Sequence, residues 1–520
     1  MGPVSKHRWL MPLGAAALLS FAHDAHAIDG EVTSDTAAQF YDVRSPTGET
    51  ILQQRRLTST LGVGVYDLFG HPKEEPMAPE INFRARLRYD ANYGQVCVSG
   101  TCYSASEQAD ATNQNHLAPG YSTEAVDLMY AYIDGRRFLK GWLNFKLGRQ
   151  YQTDVLGWWS FDGAEAKIVT PFFVAIEGYG GLEQRGGLPL STSRFSGEGV
   201  WRGDRSGYDP SLYPSFQPAA IAPAFGVALE TAGPTWIHGR FVYRRVYNEG
   251  GSNVTEFASG LFTPVTYNGP RISSERFGYA LDVNLMKFGA LKGGFAYDVF
   301  NAKMSSIYGS LEAFLGQKVT ASIDYDYYAP TFDGDSIWNF FLGEPMSDVG
   351  ARLHVSPTDK LSIAAGGHVR ITQVESAPAS VDSSTNITPP AGQPSPNQFP
   401  TNNHQFDEGG NLSARYKWGE GVIGLRGQGN FGPEGDRVGA DLNAQRVLET
   451  RFILSGRVGV WQWDDKIRPD RDATDFTYVL GAGYRVAARS QFMVEWQHDM
   501  NRLVGQRFRL MLWLTFAVTK

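Results

Sequence analysis

The sequence predicts an all-β protein, a transmembrane antiparallel β-barrel of about 18–22 strands with no plug domain. Many segments alternate apolar and polar residues with a period of two, which is the pattern of a strand with two different faces. These segments have roughly the 9–11 residues that a tilted strand needs to cross a bilayer. The connections between them are alternately short and long, like the periplasmic turns and extracellular loops of an outer-membrane barrel.

The N-terminus has the features of a secretory signal peptide. Lys6 and Arg8 precede a short apolar run, and Ala25-His26-Ala27 follows it as a cleavage site. The run is too short to span a bilayer as a helix, for which about 20 apolar residues are needed. We therefore expect a signal peptide over residues 1–27, cleaved after Ala27. The barrel, residues 28–520, is then expected in the outer membrane of a Gram-negative bacterium.

The composition argues against other membrane and secreted folds. The mean hydropathy is mildly negative, whereas a bundle of membrane helices would be far more apolar. A soluble propeller would repeat at roughly 40–50 residues, and the sequence has no such repeat. In a soluble β-sandwich or solenoid, the alternate residues of 508–516, all Phe or Leu, would form too heavy an apolar surface for a solvated sheet face.

We assign the alternating segments to about 22 strands. This number is even, as a single-chain bacterial barrel requires. The clearest strands are 81–90, 277–285, 319–327, 349–355, 476–486 and 508–518. Short turns are predicted at 134–135, 232–235, 286–289, 356–360 and 418–421. Long extracellular loops are predicted at about 91–121, 182–218, 250–271, 329–347 and 376–408.

Residues 81–90, with the sequence INFRARLRYD, place three arginines at successive positions of one strand face. An arginine on the lipid face would cost about 2–4 kcal/mol near the bilayer midplane, so this face is predicted to line the lumen. The same alternation turns further arginines inward. The predicted pore-lining residues are Arg84, Arg86, Arg88, Arg276, Arg352, Arg370, Arg415, Arg426, Arg437, Arg457, Arg485, Arg507 and Arg509.

Two roles are open for these arginines. They pair with lumen carboxylates and brace the wall, or they guide anions through an anion-selective pore. Three arginines in succession make a ladder about 13 Å long, which a single bracing salt bridge does not need. The carboxylates available on the same faces are Asp90, Asp282, Asp324, Asp326, Asp441 and Glu495.

The two cysteines of the chain, Cys97 and Cys102, are separated by four residues that include Ser-Gly. In an oxidising compartment this spacing predicts a disulfide that closes a small surface loop. A metal site would need two more cysteine or histidine ligands close by, and the sequence has none there. We therefore expect neither a metal nor a cofactor.

The sequence offers little for catalysis. It contains no G-x-S-x-G, no H-E-x-x-H and no phosphate-binding loop. His354 and His368 both point inward, but the turn at 356–360 offsets them by about four residues, near 13 Å along the strands. We expect no enzyme, no catalytic residues and no nucleic-acid partner.

One short motif resembles a known family. Gly148-Arg149-Gln150 ends one predicted strand, and Phe161-Asp162-Gly163 opens the next. This pattern resembles the alginate-export family and the wider group of polysaccharide-export outer-membrane porins. The resemblance implies an arginine-lined barrel, usually of about 18 strands, that passes an acidic polysaccharide.

Three functions follow as hypotheses. The first is an outer-membrane channel that exports an anionic polysaccharide. The second is a diffusion porin for small solutes or anions, with loop 182–218 folded inward as a constriction. The third is a non-conducting structural barrel that anchors envelope machinery. The expected partners are outer-membrane lipid, the barrel-assembly machinery and, for export, a periplasmic polysaccharide-export protein.

Overall fold

A computed structural model describes most of the chain. The described residues are 29–69, 78–92, 94–98, 101–104, 124–184, 222–248, 252–258, 261–267, 271–331, 345–373 and 404–519. The expected signal peptide, residues 1–27, lies outside them, as do most residues of the loops expected at 91–121, 182–218 and 376–408. No helix within the described residues is long and apolar enough to cross a membrane.

Strands account for nearly all of the described structure. They are β1 (Asp29–Arg44), β2 (Thr50–Tyr66), β3 (Glu80–Asn92), β4 (Gln95–Val98), β5 (Thr101–Ser104), β6 (Glu124–Arg137), β7 (Leu143–Asp154), β8 (Gly157–Val169), β9 (Val174–Glu183), β10 (Pro223–Thr231), β11 (Ile237–Asn248), β12 (Ser252–Ala258), β13 (Leu261–Tyr267), β14 (Arg271–Asn284), β15 (Gly289–Asp298), β16 (Lys303–Phe314), β17 (Val319–Tyr328), β18 (Met346–Val355), β19 (Leu361–Gln373), β20 (His404–Trp418), β21 (Gly421–Phe431), β22 (Gly435–Leu448), β23 (Phe452–Asp465), β24 (Ala473–Ala487), β25 (Ser490–Asn501) and β26 (Gly505–Thr519). A helical turn, α1 (Phe138–Gly141), follows β6, and a 3-10 turn (Pro469–Arg471) precedes β24.

The wall is a closed antiparallel barrel of 22 strands. The main sheet contains 24 strands, and two of them, β4 and β5, form a hairpin outside the wall. The wall strands pair in chain order, and β1 closes the ring against β26, with Val32 opposite Val518 and Phe40 opposite Leu510. The predicted barrel is confirmed, at the upper end of the predicted strand number. It has more strands than the 18 that the family resemblance implied.

Closure leaves the wall without a free edge strand. An unpaired backbone group in hydrocarbon costs several kcal/mol, so a spanning sheet has to close on itself. With strands about 4.8 Å apart and tilted about 40°, a ring of this size measures roughly 40 Å across at the backbone. The wall therefore encloses a wide interior, and the described residues form no plug domain inside it.

The two faces of the wall differ as the alternation predicts. In β10, Phe225, Val227 and Leu229 are 43%, 47% and 47% exposed, whereas Ala224 and Ala228 on the opposite face are buried. Phe225 also stacks with aromatic side chains of β11 on the same outward face. Large apolar side chains thus form the outer surface, where a membrane barrel meets lipid, and the opposite face lines the interior.

The five longest connections lie at one end of the barrel, here called the long-connection end. They follow β3, β9, β11, β17 and β19, and the hairpins β4–β5 and β12–β13 belong to two of them. The opposite, short-connection end holds the start of β1 and the end of β26. In the β4–β5 hairpin, Cys97 lies directly opposite Cys102, a backbone register that suits the expected disulfide. The side chains lie outside the described residues, so the disulfide stays a prediction.

One predicted turn is wrong. Asp134 and Gly135 lie inside β6, and the chain reverses later, through α1. Arg137, Leu139 and Lys140 adopt left-handed backbone conformations there. Such conformations usually call for Gly or Asn, so these residue types gave no turn signal, while Asp-Gly gave a false one.

We expect the mature protein to behave as a heat-modifiable barrel. A closed barrel without free edges resists detergent until it is heated, so unboiled samples should migrate faster on gels than boiled ones. Circular dichroism of the detergent-solubilised protein should show strand and almost no helix. A substantial helical signal, or recovery of the protein in the soluble periplasmic fraction, would contradict the fold.

Candidate functional site

The arginine ladder of β3 lies on the inner face and is engaged by neighbouring side chains. Arg86 forms an ion pair with Asp35 of β1 at 2.7 Å and donates to Thr60 Oγ1 at 2.8 Å. Arg84 lies over the Tyr66 ring, 5.1 Å from its centre, and shares a hydrogen bond with Tyr132. Arg88 is only 6% exposed and also has an interaction partner. These contacts favour bracing over anion guidance for the ladder.

Five more of the predicted pore-lining arginines form ion pairs with carboxylates of neighbouring strands. Arg276 and Arg370 approach their carboxylates to 3.2 Å, and the other three lie 3.4–3.9 Å from theirs. The pairs are Arg276–Asp298, Arg370–Asp348, Arg457–Asp441, Arg507 with Asp475 and Asp499, and Arg509–Glu495. The strand registers place all of them on the inner face.

The remaining five predicted arginines pair with no carboxylate among the described residues. Arg426 donates to Gln428 at 2.9 Å, and Arg437 lies 4.7 Å from the centre of the Trp461 ring. Arg352, Arg415 and Arg485 are exposed on the inner face. Among the predicted pore-lining arginines outside the ladder, those without a carboxylate partner in the described structure all lie between β18 and β24.

A second network of charges lies on the inner face of β7 to β11. Arg240 contacts Glu177 at 2.8 Å and also Glu230, which in turn pairs with Lys167. Lys146 contacts Glu165 at 3.0 Å, next to this network. This network was not predicted from the sequence. Opposite charges at inward positions of successive strands were the available signal.

The β7–β8 hairpin leaves the wall before its strands end. β7 pairs with β6 only from Phe145 to Arg149, and β8 pairs with β9 only from Phe161 to Val169. Residues 150–160, called here the inner hairpin, therefore pair with no other wall strand.

The inner hairpin folds across the inner face of the wall as far as β14. The carbonyl oxygen of Leu156 at its tip accepts a hydrogen bond from Arg244 of β11 at 3.3 Å. The Arg244 guanidinium also lies 5.1 Å from the centre of the Trp159 ring. A Cβ on Gly278 of β14 would lie 2.7 Å from Val155 and 3.0 Å from Leu156. The tip therefore rests directly on the β14 backbone.

Apolar packing and hydrogen bonds fix the inner hairpin in place. Trp159 and Tyr179 are 5% exposed and Phe161 is fully buried, in a cluster that extends to β10 and β11. Trp159 Nε1 donates to the Glu183 carboxylate at 2.8 Å, and the Ser160 carbonyl oxygen accepts from the Gln184 amide at 2.9 Å. One sector of the inner wall is thus two layers thick, whereas the described residues form a single layer from β17 to β26.

The family-motif residues form the base of the inner hairpin. Arg149 makes two parallel hydrogen bonds to Asp162, at 2.7 and 2.9 Å, on the outward face. Gln150 lies opposite Phe161, and Gly148 lies opposite Gly163. The two halves of the motif are therefore direct cross-strand partners, and its arginine does not face the interior.

Glycine is required at Gly148, where β7 bends away from the wall. Its φ of +123° is rarely adopted by residues with a side chain. A Cβ there would also come within 2.3 Å of the Ala131 carbonyl oxygen of β6. The motif thus has a structural explanation, the departure of a hairpin from the barrel wall.

No constellation for catalysis or metal binding occurs in the described part of the chain. His354 lies opposite Ala364 and His368 opposite Gly350, which is the predicted four-residue offset. No group of three or more His, Cys, Asp or Glu side chains that could hold a metal ion occurs among the described residues.

Comparisons with known proteins give structural neighbours only. No family model matches the chain, and no curated protein matches it. Among solved structures, the chain is similar to Acinetobacter baumannii OccAB4, at 7% identity and a TM-score of 0.41, over 96% of this chain and 100% of that one. It is similar to the P pilus usher PapC translocation pore at 7% identity and a TM-score of 0.46, over 94% and 99%. Pseudomonas aeruginosa OccK7 (OpdD) matches at 8% identity and a TM-score of 0.41, over 94% and 99%.

Replacing Arg84, Arg86 and Arg88 by glutamine should destabilise the barrel more than it changes ion selectivity. The variant loses an ion pair, a cation–π contact and the contacts of a buried guanidinium, which together contribute about 2–4 kcal/mol. The measurements are the denaturant midpoint of unfolding in detergent and the reversal potential in a salt gradient.

The matched control replaces Arg352, Arg415 and Arg485 by glutamine, which removes the same net charge from positions without a described carboxylate partner. It should leave the free energy of unfolding within about 0.5 kcal/mol and shift the reversal potential toward cations. If the ladder variant shifts selectivity and keeps its stability, the bracing role is wrong.

Proposed function

We propose that the protein is an outer-membrane channel through which small hydrophilic solutes diffuse. The observation that carries the proposal is the contrast inside the closed wall. One sector is thickened by the inner hairpin, and the opposite sector presents single-layer strands with exposed charged side chains. A wide barrel narrowed from one side has the geometry of a diffusion pore with a constriction.

The inner wall suits hydrated solutes of either charge, with a mild preference for anions. Six of the thirteen predicted arginines pair with carboxylates, as in the pairs Arg457–Asp441 and Arg509–Glu495. The excess positive charge lies at a few positions such as Arg352, Arg415 and Arg485. Charged groups that line a pore set its selectivity, so a partly compensated wall favours weak rather than strict selection.

Polysaccharide export was the first hypothesis, and the structure gives it less support than diffusion. The hypothesis rested on the family motif and on an arginine-lined lumen. Arg149 of the motif pairs with Asp162 on the outward face, so it is not available to a polymer inside the barrel. The ladder arginines are engaged with wall side chains. The inner hairpin also reduces the width open to a polymer.

The proposal includes a location and an orientation. The apolar outer face belongs in the outer membrane, with the short-connection end toward the periplasm and the long connections toward the cell exterior. Export by the expected signal peptide and insertion by the barrel-assembly machinery are part of the proposal. Passive diffusion requires no periplasmic export partner.

The direct test is solute passage through the purified protein. Planar bilayers should show discrete conductance steps, and proteoliposomes should swell in small sugars and amino acids but not in long polysaccharides. A barrel that gives no conductance over repeated insertions would overturn the proposal in favour of a structural anchor. Passage of a long anionic polysaccharide would favour export.

A variant without the inner hairpin tests the constriction. Residues 151–160 are replaced by Asn-Gly, which joins the directly opposed Gln150 and Phe161 through a two-residue turn. The single-channel conductance should rise and larger sugars should enter. Unchanged conductance in a barrel that remains heat-modifiable would mean that the inner hairpin lies away from the narrowest part of the pore.

A further inference from the structure

A basic pocket lies on the inner rim of the barrel at the short-connection end. It occupies about 430 Å³ between the β16–β17 turn, the β18–β19 turn and the end of β20. Its charged and titratable lining consists of Lys318, His354, Asp359, Lys360, Arg415 and Lys417.

Backbone hydrogen bonds hold the three elements of this pocket together. The Ser356 amide donates to the Lys318 carbonyl oxygen at 2.7 Å, and the Lys417 amide donates to the Lys360 carbonyl oxygen at 2.8 Å. Lys318 Nζ donates to the Pro357 carbonyl oxygen at 3.0 Å, which links the two turns. The basic residues are therefore set on connected backbone rather than on independent loops.

The pocket concentrates positive charge that the protein does not neutralise. Four side chains carry a full positive charge, and Asp359 is the only carboxylate in the described lining. Within the described structure, no ion pair involves Arg415, Lys360 or Lys417. Nearer the long-connection end of the same sector, Arg370 lies beside Asp348. Arg415 has no such carboxylate partner within the described structure.

We propose that this pocket binds a small multivalent oxyanion with carboxylate or phosphate groups. Arg415 and Lys417 point to the same face of β20, about 6.8 Å apart along the strand, so they can bind two anionic groups of one molecule. The guanidinium fork matches a carboxylate or phosphate in two parallel hydrogen bonds. The volume lies in the range of small-ligand pockets.

This site goes beyond the proposed diffusion function. Binding needs only the folded barrel and can be measured in detergent, without any passage of solute. A barrel that binds the oxyanion and never conducts would refute the proposed function and leave this site standing. A barrel that conducts but binds no oxyanion would refute this site and leave the proposed function standing.

The test is isothermal titration calorimetry of the detergent-solubilised barrel at low salt, with citrate and pyrophosphate as probes. One saturable site is expected for at least one probe, and the tighter of the two identifies carboxylate or phosphate chemistry. The double variant Arg415→Gln/Lys417→Gln should weaken binding about tenfold or more, because it removes two charge-assisted contacts. Both replaced side chains are exposed, so the variant should keep its heat-modifiable migration.

The matched control is Arg489→Gln, which removes one exposed positive charge from the β24–β25 turn at the same end of the barrel. Its affinity for the probe should stay within about twofold of the unmodified protein, and Lys417→Gln alone should fall between the control and the double variant. The proposal is overturned by the absence of saturable binding of either probe, or by a double variant that binds as the unmodified protein does. Equal weakening by Arg489→Gln would also overturn it, because the end of the barrel would then act as a diffuse charge.

Discussion

The need to pair every backbone amide and carbonyl in a nonpolar medium governs this structure. In hydrocarbon no water is available to hydrogen-bond the backbone groups of a free sheet edge. The first strand, β1, therefore pairs with the last, β26, and the wall closes. Closure divides the side chains into an outer and an inner set. The outer set is apolar, as in β10, and the inner set is free to carry charge. The arginines, their carboxylates and the basic pocket all depend on that division.

The backbone groups of the inner hairpin also need hydrogen-bond partners where the hairpin leaves the wall. Beyond Arg149 and Phe161 the β7–β8 hairpin has no wall neighbour on either side. Its two open edges would be costly against lipid, and folding inward places them among polar partners instead. The Ser160 carbonyl oxygen accepts a hydrogen bond from the Gln184 amide, and the Leu156 carbonyl oxygen accepts one from Arg244. The Trp159 side chain donates to Glu183. The constriction of the proposed channel thus lies where the backbone edges of the inner hairpin have hydrogen-bond partners.

The sequence predicted the fold because the alternation of a barrel strand is local. The period-two alternation predicted the face on which Arg84, Arg86 and Arg88 lie. Together with the predicted turn at 356–360, it also predicted the register of the β18–β19 hairpin. What the sequence did not predict depends on contacts between distant strands. The partner of Arg86 is Asp35, 51 residues earlier, and the tip at Leu156 meets Arg244, 88 residues later. No local pattern encodes such distances.

Two predictions from the sequence did not include the inner hairpin. Gly148-Arg149-Gln150 with Phe161-Asp162-Gly163 resembled a transport motif, yet these residues pair with one another at the base of a bend. The sequence predicts an inward constriction in loop 182–218, most of which lies outside the described residues, and it predicts a simple connection between two wall strands for residues 151–160. The period of two continues through the inner hairpin, so alternation alone does not reveal that it leaves the wall.

A disulfide can test directly whether the inner hairpin lies against the inner face of the wall. Val155 Cγ1 lies 2.7 Å from the Cβ position of Gly278, so cysteines at these two sites have Cβ atoms no more than about 4.2 Å apart, close enough for a disulfide. The new Cβ also lies 2.7 Å from the Phe295 carbonyl oxygen, so the β14 backbone has to shift slightly to accept it. In a background with Cys97→Ser and Cys102→Ser, the variant Val155→Cys/Gly278→Cys should oxidise to an intramolecular disulfide, detected by mass spectrometry. The control Val155→Cys/Val227→Cys, with Val227 on the outward face, should not. If both thiols of the first variant remain reduced and alkylate freely in a heat-modifiable barrel, the hairpin does not lie against β14 and the account is wrong.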